Sequence, residues 1–352
     1  MHPSRLSVLI LAATTLAIAQ SPAPVWQMQD SGTTASLRGI DSVDGKVAWA
    51  SGTEGTVLKT IDGGAHWTQC SIPDADKDGA TLDFRGVQAW DSDTAIVMAS
   101  GPGDKSRLYK TTDGCKTWSL LFSDPDKDGF FDAISVADKN NLMLLGDPVG
   151  GRFTILDTID GGKNWIRDAS PMLANNSKEG GFAASNSSLL VNGADGPAAF
   201  ATGSPSGARL FIKCDTCGVA KKWAVVPLAA FPHAEAAGVF ALSQRDWKHW
   251  AAVGGDYTKP NDTAGTAACS ANGGSHWAAS AKPPHGYRST VQWSATEKLW
   301  ITAGSNGSDI SRDDGRTWQP LDNGNWNALS LPFIVGPKGR IARLNPAALP
   351  KP

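Results

Sequence analysis

The chain is poor in the side chains that most enzymes rely on. Among its 352 residues are 3 Tyr, 6 His and only four Glu, at positions 54, 179, 235 and 297. No Ser-His-Asp arrangement and no metal-ligand spacing is apparent around the histidines. Net charge is also lacking: the formal value is −2. A protein that grips phosphates electrostatically needs a basic face, so nucleic acid is not an expected partner. Beyond the N-terminus no apolar run approaches the ~18 residues of a membrane span. What is plentiful is Gly, at 38, and Trp, at 14. That combination suggests many tight turns, each beside a large aromatic plug.

The first nineteen residues read as a secretory leader. Arg5 gives a short positive region, Leu6 to Ala17 is mostly apolar, and Ala17-Ile18-Ala19 is an A-x-A cleavage site. The expected product is a secreted or periplasmic monomer beginning near Gln20, with no membrane span after cleavage, whose single folded unit covers residues 20–352. Five cysteines remain in it. Cys214 and Cys217 have C-x-x-C spacing in a predicted hairpin turn. A local disulfide is the expectation, because a redox-active pair normally sits at a helix N-terminus and a zinc site needs a second ligand pair. The pairing of Cys70, Cys115 and Cys269 stays open.

One short pattern organises the chain. Thr60-Ile61-Asp62-Gly63-Gly64-Ala65-His66-Trp67 returns at Thr111–Trp118 with Asp113, at Thr158–Trp165 with Asp160, at Ser270–Trp277 with Asn272, and at Ser311–Trp318 with Asp313. A degenerate sixth copy runs from Lys213 to Trp223 around Asp215. This S/T-x-D-x-G-x-x-W pattern is the Asp-box, or BNR repeat. The Asp is expected to accept backbone N–H bonds inside a hairpin turn, the Gly to take positive φ, and the Trp to cover the turn. These carboxylates are therefore turn staples rather than catalytic groups.

The Trp that open the last strand of each unit are Trp67, Trp118, Trp165, Trp223, Trp277 and Trp318, with Trp26 upstream of them. Successive gaps are 41, 51, 47, 58, 54 and 41 residues. Four short strands fit each period. After Trp318 the sequence offers three strands (Trp326–Leu331, Phe333–Gly336 and Gly339–Leu344) with no outer strand, while Pro24–Met28 is an outer strand with no unit. The expectation is an all-β, seven-bladed β-propeller with about 48 residues per blade, closed by the N-terminal strand. A solenoid would leave both terminal pieces unexplained.

Phe84-Arg85-Gly86-Val87 followed by Leu108-Tyr109-Lys110-Thr111-Thr112-Asp113-Gly114, repeated in the first blade as Leu37-Arg38-Gly39-Ile40 and Leu58–Gly64, resembles the photosystem II stability and assembly factor-like propellers. The similarity is greatest to an exported bacterial branch. That resemblance implies a scaffold that binds proteins during assembly, with no cofactor.

First strands of propeller blades line the central channel. Aligning them places Arg38, Arg85, Asp132, Arg288 and Asn327 in one column, preceded by Leu37, Phe84, Phe131, Tyr287 and Trp326. Three Arg at one mouth would favour an acidic peptide or another carboxylate ligand. The competing reading pairs these Arg with Asp132 and backbone carbonyls. Gly146–Arg152 and Gly254–Lys259 read as Gly-rich loops. Two D-x-D-x-D-G loops, with Asp74, Asp76 and Asp78 and with Asp124, Asp126 and Asp128, could converge on calcium, but they lack the bidentate Glu of an EF-hand. Sialidases also carry Asp-boxes, so a sialidase-like glycoside hydrolase is the alternative function. Tyr287 beside Arg288 is the pairing to test for it, since Tyr109 lies far from the expected mouth.

Overall fold

The computed structural model describes residues 23–170, 172–193, 196–213 and 223–351, and within them the strands sort into seven four-stranded antiparallel sheets. The leader and the Cys214–Cys217 pair lie outside the described residues. In the first blade the strands are Leu37–Ser42, Ala48–Gly52, Val57–Thr60 and Thr68–Gln69. Second strands such as Ala95–Ala99 and Leu299–Gly304 are buried along their whole length. Neighbouring blades cover both of their faces, so an uninterrupted apolar run replaces alternation. Three outer strands are two residues long and exposed, Thr68–Gln69, Ile166–Arg167 and Ala278–Ala279. Short edges offer little backbone for a second chain to pair with.

Seven apolar clusters lie between the blades. Leu37, Ala50 and Leu58 of blade 1 pack on Phe333, Val335 and Ile341 of the last blade, and Trp49 meets Phe84, Val97 and Tyr109 at the next interface. The ring closes as the unmatched ends implied. Trp26–Gln29 pairs antiparallel with Ile341–Leu344, from Trp26 opposite Leu344 to Gln29 opposite Ile341. Trp26 is buried, and its indole N–H donates to Ser308 Oγ at 2.9 Å.

The five recurrent turns share one hydrogen-bond scheme. In the first, Thr60 Oγ1 donates to Asp62 Oδ1 at 2.9 Å and accepts from the Gly64 N–H at 2.9 Å, while Asp62 Oδ1 accepts from the His66 N–H at 3.0 Å. Asp113, Asp160, Asn272 and Asp313 each accept the corresponding N–H, from Thr117, Asn164, His276 and Thr317. Gly64 sits at φ +85°, and in the second turn Cys115 holds the same place at φ +67°. A disulfide ties Cys115 to Cys70, at the end of blade 1's outer strand, with the Cα atoms 5.4 Å apart. The cross-link thus joins adjacent blades at their outer rim, while Cys269 is free and half-buried.

Candidate functional site

Four first strands carry a β-bulge at the same height. The register slips between Leu37 and Gly39, Phe84 and Gly86, Phe131 and Ala133, and Val239 and Ala241. The unpaired residues are Arg38, Arg85, Asp132 and Phe240, and the bulge turns each side chain toward the channel. In the remaining two blades that line this mouth, backbone bonds fix the equivalent position. The Leu37 N–H donates to Gly336 O of the preceding blade, and the Arg288 and Trp326 N–H groups donate in the same way to Gly254 O and Gly304 O. Arg288 therefore stands where Leu37 and Trp326 stand, and the channel residues after them are Ser289 and Asn327.

This corrects the column read from the sequence by one residue, and a one-residue slip sends a strand side chain to the opposite face. Arg288 is fully buried away from the mouth. Its Nε donates to Asp309 Oδ2 at 2.7 Å and its Nη1 to Asn306 Oδ1 at 2.6 Å, while His285 Nδ1 lies 2.8 Å from the other oxygen of Asp309. Tyr287, one residue earlier, is the side chain that reaches the mouth. The Asn327 amide donates to Leu37 O at 2.7 Å and ties the last blade to the first.

The mouth is a cup of about 540 Å³. One wall is charged, with Arg38, Arg85, Asp132 and Asp147. The other is aromatic: Phe182 stacks on Phe240 with centroids 3.7 Å apart, and Tyr257 and Tyr287 both meet Phe240 edge-on. The segment before blade 4 forms the floor. Asn186 pairs with both the N–H and the C=O of Ile134, the Leu242 N–H donates to Ser187 O, and Ser185 Oγ donates to Ser289 O at 2.6 Å. The segment thus ties the first strands Phe131–Val136 and Ala237–Gln244 and the start of Thr290–Ser294 together across the channel.

Sequence reading missed Phe182, Phe240 and Ser289, and named Asp147 and Tyr257 only within the two Gly-rich stretches beside the first strands. Asp147 belongs to the strand Leu142–Val149 and Gly254–Asp256 to the strand Trp250–Asp256, so neither glycine-rich stretch is simply a loop. The height is marked by a Gly in or just after a second strand: Gly336, Gly254 and Gly304 accept the N–H groups of Leu37, Arg288 and Trp326 on the next blade.

The charges of the cup do not cancel pairwise. Arg85 Nε donates to Asp83 at 2.7 Å and its Nη1 to Ala183 O at 3.3 Å. Arg38 has its Nε buried with no hydrogen-bond partner. Burial, and then the charge of Arg85, hold Arg38 below its ordinary range. Asp132 is 1% exposed and its Oδ2 has no hydrogen-bond partner. Burial and the neighbouring Asp147 push its carboxyl well up. Asp147 accepts from the Gly181 N–H at 3.0 Å, and burial raises it to about 6. The expected patch of three Arg is therefore two Arg facing Asp132 and Asp147, with Glu235 at the lining paired to Lys178, and Asp132 is not the ion-pair partner of either Arg.

The acidic loops do not converge. Asp78 takes two bonds from Arg107, at 2.7 and 3.0 Å, and Asp74 accepts from Tyr109 Oη at 2.8 Å. Asp76 is exposed, Asp124 is buried and accepts from the Asp126 N–H, Asp126 pairs with Arg167 and Asp128 with Lys127. No group of three or more His, Cys, Asp or Glu is placed to hold a metal ion among the described residues. The sialidase-like pairing separates as well. Tyr287 and Arg288 point to opposite faces, and burial pushes the Tyr287 phenol far up, which weakens it as a nucleophile.

No family model matches the chain. Over 143 residues it is 29% identical to the photosystem II assembly lipoprotein Ycf48 of Synechococcus sp. strain CC9902, a match that spans 40% of this chain and 39% of that one. The structure of Ycf48 bound to a D1 peptide superposes with a TM-score of 0.63 at 18% identity, covering 92% of this chain and 96% of its own. Ycf48 from Cyanidioschyzon merolae gives 0.64 at 17% identity, covering 92% and 99%. The WD40 repeats of RRP9 score 0.62 at 12% identity, covering 93% and 99%, so likeness at this level reports the fold. The seven-bladed architecture and the resemblance to the photosystem II assembly factor propellers are both borne out: the chain is similar to Ycf48 in sequence over two fifths of its length and in fold over nearly all of it.

Proposed function

We propose that the chain is an exported propeller scaffold, of the assembly-factor kind, that holds a carboxylate-bearing segment of a protein partner in the cup. The observation that carries this reading is the pair Arg38 and Arg85. Two guanidinium groups from adjacent blades face one cup, and one of them has a buried Nε without a partner. A carboxylate between them relieves their repulsion and supplies the missing acceptor. The aromatic wall offers a rigid apolar surface to the rest of a peptide. The likeness to Ycf48, solved with a D1 peptide, supports the same class of ligand. Export accords with the leader and with the Cys70–Cys115 disulfide, because such bonds persist in oxidising compartments.

The test is capture of partners from the native envelope by the wild-type chain, Arg38→Ala and Arg85→Ala, beside titration with acetylated hexapeptides ending in a carboxylate or a carboxamide. The carboxylate peptides should bind about tenfold tighter. Each Arg variant should erase that margin, and affinity should fall as salt rises. Equal binding of both peptide forms, or turnover of sialosides or β-glucans without a captured protein, would overturn the reading.

A further inference from the structure

A cup that took only an acidic ligand would have no use for two acids of its own. Asp132 and Asp147 lie against the same short piece of the floor. A Cβ built on Gly181 would stand 2.5 Å from Asp132 Oδ2, and one on Gly180 would stand 2.5 Å from Asp147 Oδ1. Asp132 is 1% exposed, lines the cup, and keeps an oxygen with no hydrogen-bond partner. A buried carboxyl without a partner destabilises the fold unless something else is gained. Nearby cations offset the pair only in part: the charge of Arg85 lowers Asp132, but burial and Asp147 outweigh it. Arg85 is engaged by Asp83, and Lys178, on the far side of Asp147, is engaged by Glu235.

We propose that Asp132 and Asp147 form a cation subsite next to the arginine pair, so that the cup takes a peptide presenting a lysine or arginine side chain close to its carboxylate. The inference rests on the peptide reading above and narrows it from an acidic segment to one of mixed charge. An ammonium or guanidinium group placed there satisfies the free oxygen of Asp132 and lets both carboxyls ionise, which their mutual repulsion otherwise opposes. Glycine at 180 and 181 keeps the approach to both acids clear.

The experiment is calorimetric titration of the mature chain with acetylated hexapeptides that end in a free carboxylate. A single lysine occupies each position in turn, and norleucine replaces it in a matched set. At one position or more the lysine form should bind about tenfold tighter. The same ratio should fall to about one in Asp132→Asn and in Asp147→Asn, while the exposed control Asp246→Asn keeps it. Binding of the lysine form should also release protons, seen as different heats in two buffers of unlike ionisation enthalpy. Equal affinities of every lysine and norleucine pair in the wild-type chain would overturn the cation subsite and leave the carboxylate reading standing. That is also the result if the two acids are simply closed on a shared proton. Failure of every peptide to bind would overturn both.

Discussion

The same residue type does opposite work at the rim of the propeller and in its cup. At the rim, Asp62 is exposed and Asp113 and Asp160 are half-buried, each accepts hydrogen bonds from its own turn, and each is held down at about 2. In the cup, Asp132 is buried and Asp147 half-buried, they receive few hydrogen bonds, and both are pushed up. Rim carboxylates thus favour the fold in their charged form, and cup carboxylates oppose it. A group that weakens the fold in its ionised state invites a functional explanation, whereas one that supports its own turn does not.

The contrast can be broken most forcefully at the rim. Trp318 is 2% exposed and its indole N–H donates to Gly315 O. Trp318→Ala should cost about 3–5 kcal/mol in chemical denaturation, with carboxylate-peptide binding by the surviving folded fraction unchanged. Next in size is the clamp between blades 1 and 2. Replacing Cys70 by Ser together with Cys115 by Gly should cost about 2–4 kcal/mol from the lost cross-link. The recovered freedom at φ +67° offsets part of that loss. Cys115→Ser with Cys70→Ser should therefore be the less stable pair, and a reversed order of melting temperatures would remove the strain argument.

In the cup the sign reverses. Asp147 binds its proton more tightly in the folded chain, at about 6, than in the unfolded one, near 3.8. The stability linked to it is fully present below 3.8 and is lost as pH rises through about 6. Asp147→Asn should hence raise stability by roughly 2 kcal/mol at pH 7.5 and leave it unchanged near pH 4. Asp41 behaves alike. It is half-buried, raised to about 6 by burial, and accepts from the Ala89 N–H at 2.7 Å, so Asp41→Asn should change stability with pH in the same direction. The smallest effect is Asp160→Ala, which should lower the melting temperature by a few degrees at neutral pH. Its folded value is depressed, so that contribution is present above 3.8 and disappears as pH falls through about 2. A difference from the wild-type melting temperature that stays constant with pH in both Asp147→Asn and Asp160→Ala would erase the distinction between rim and cup.

How much of this could be read from the chain follows the same divide. The rim was legible because its turns are local: Thr60, Asp62 and Gly64 meet within five residues, and the Trp spacing counts the blades. The closing strand was legible from two fragments that lacked each other. The cup depends on register between blades, and there the alignment by residue type failed. Arg288 looked like Arg38 but occupies the packed position held by Leu37, and Ser289 takes the channel. Asp147 was hidden in a stretch that reads as glycine-rich, and nothing in Gly180–Ser188 announces that it crosses the channel. The Cys70–Cys115 bond joins two rim features whose proximity needs the first two blades to pack side by side.

The closing strand has a consequence in time. Trp26 finds Leu344 only after the intervening chain has been made, so during synthesis the growing sheet ends in an unsealed edge. Adjacent blades can condense in order as they emerge, since each hairpin pairs with sequence neighbours, but the last pairing is among the longest-range contacts of the described residues. The same strand carries Gln29, whose Oε1 accepts the indole N–H of Trp67, so the pairing that fixes this strand to the last blade also fixes the acceptor for the first turn of the rim.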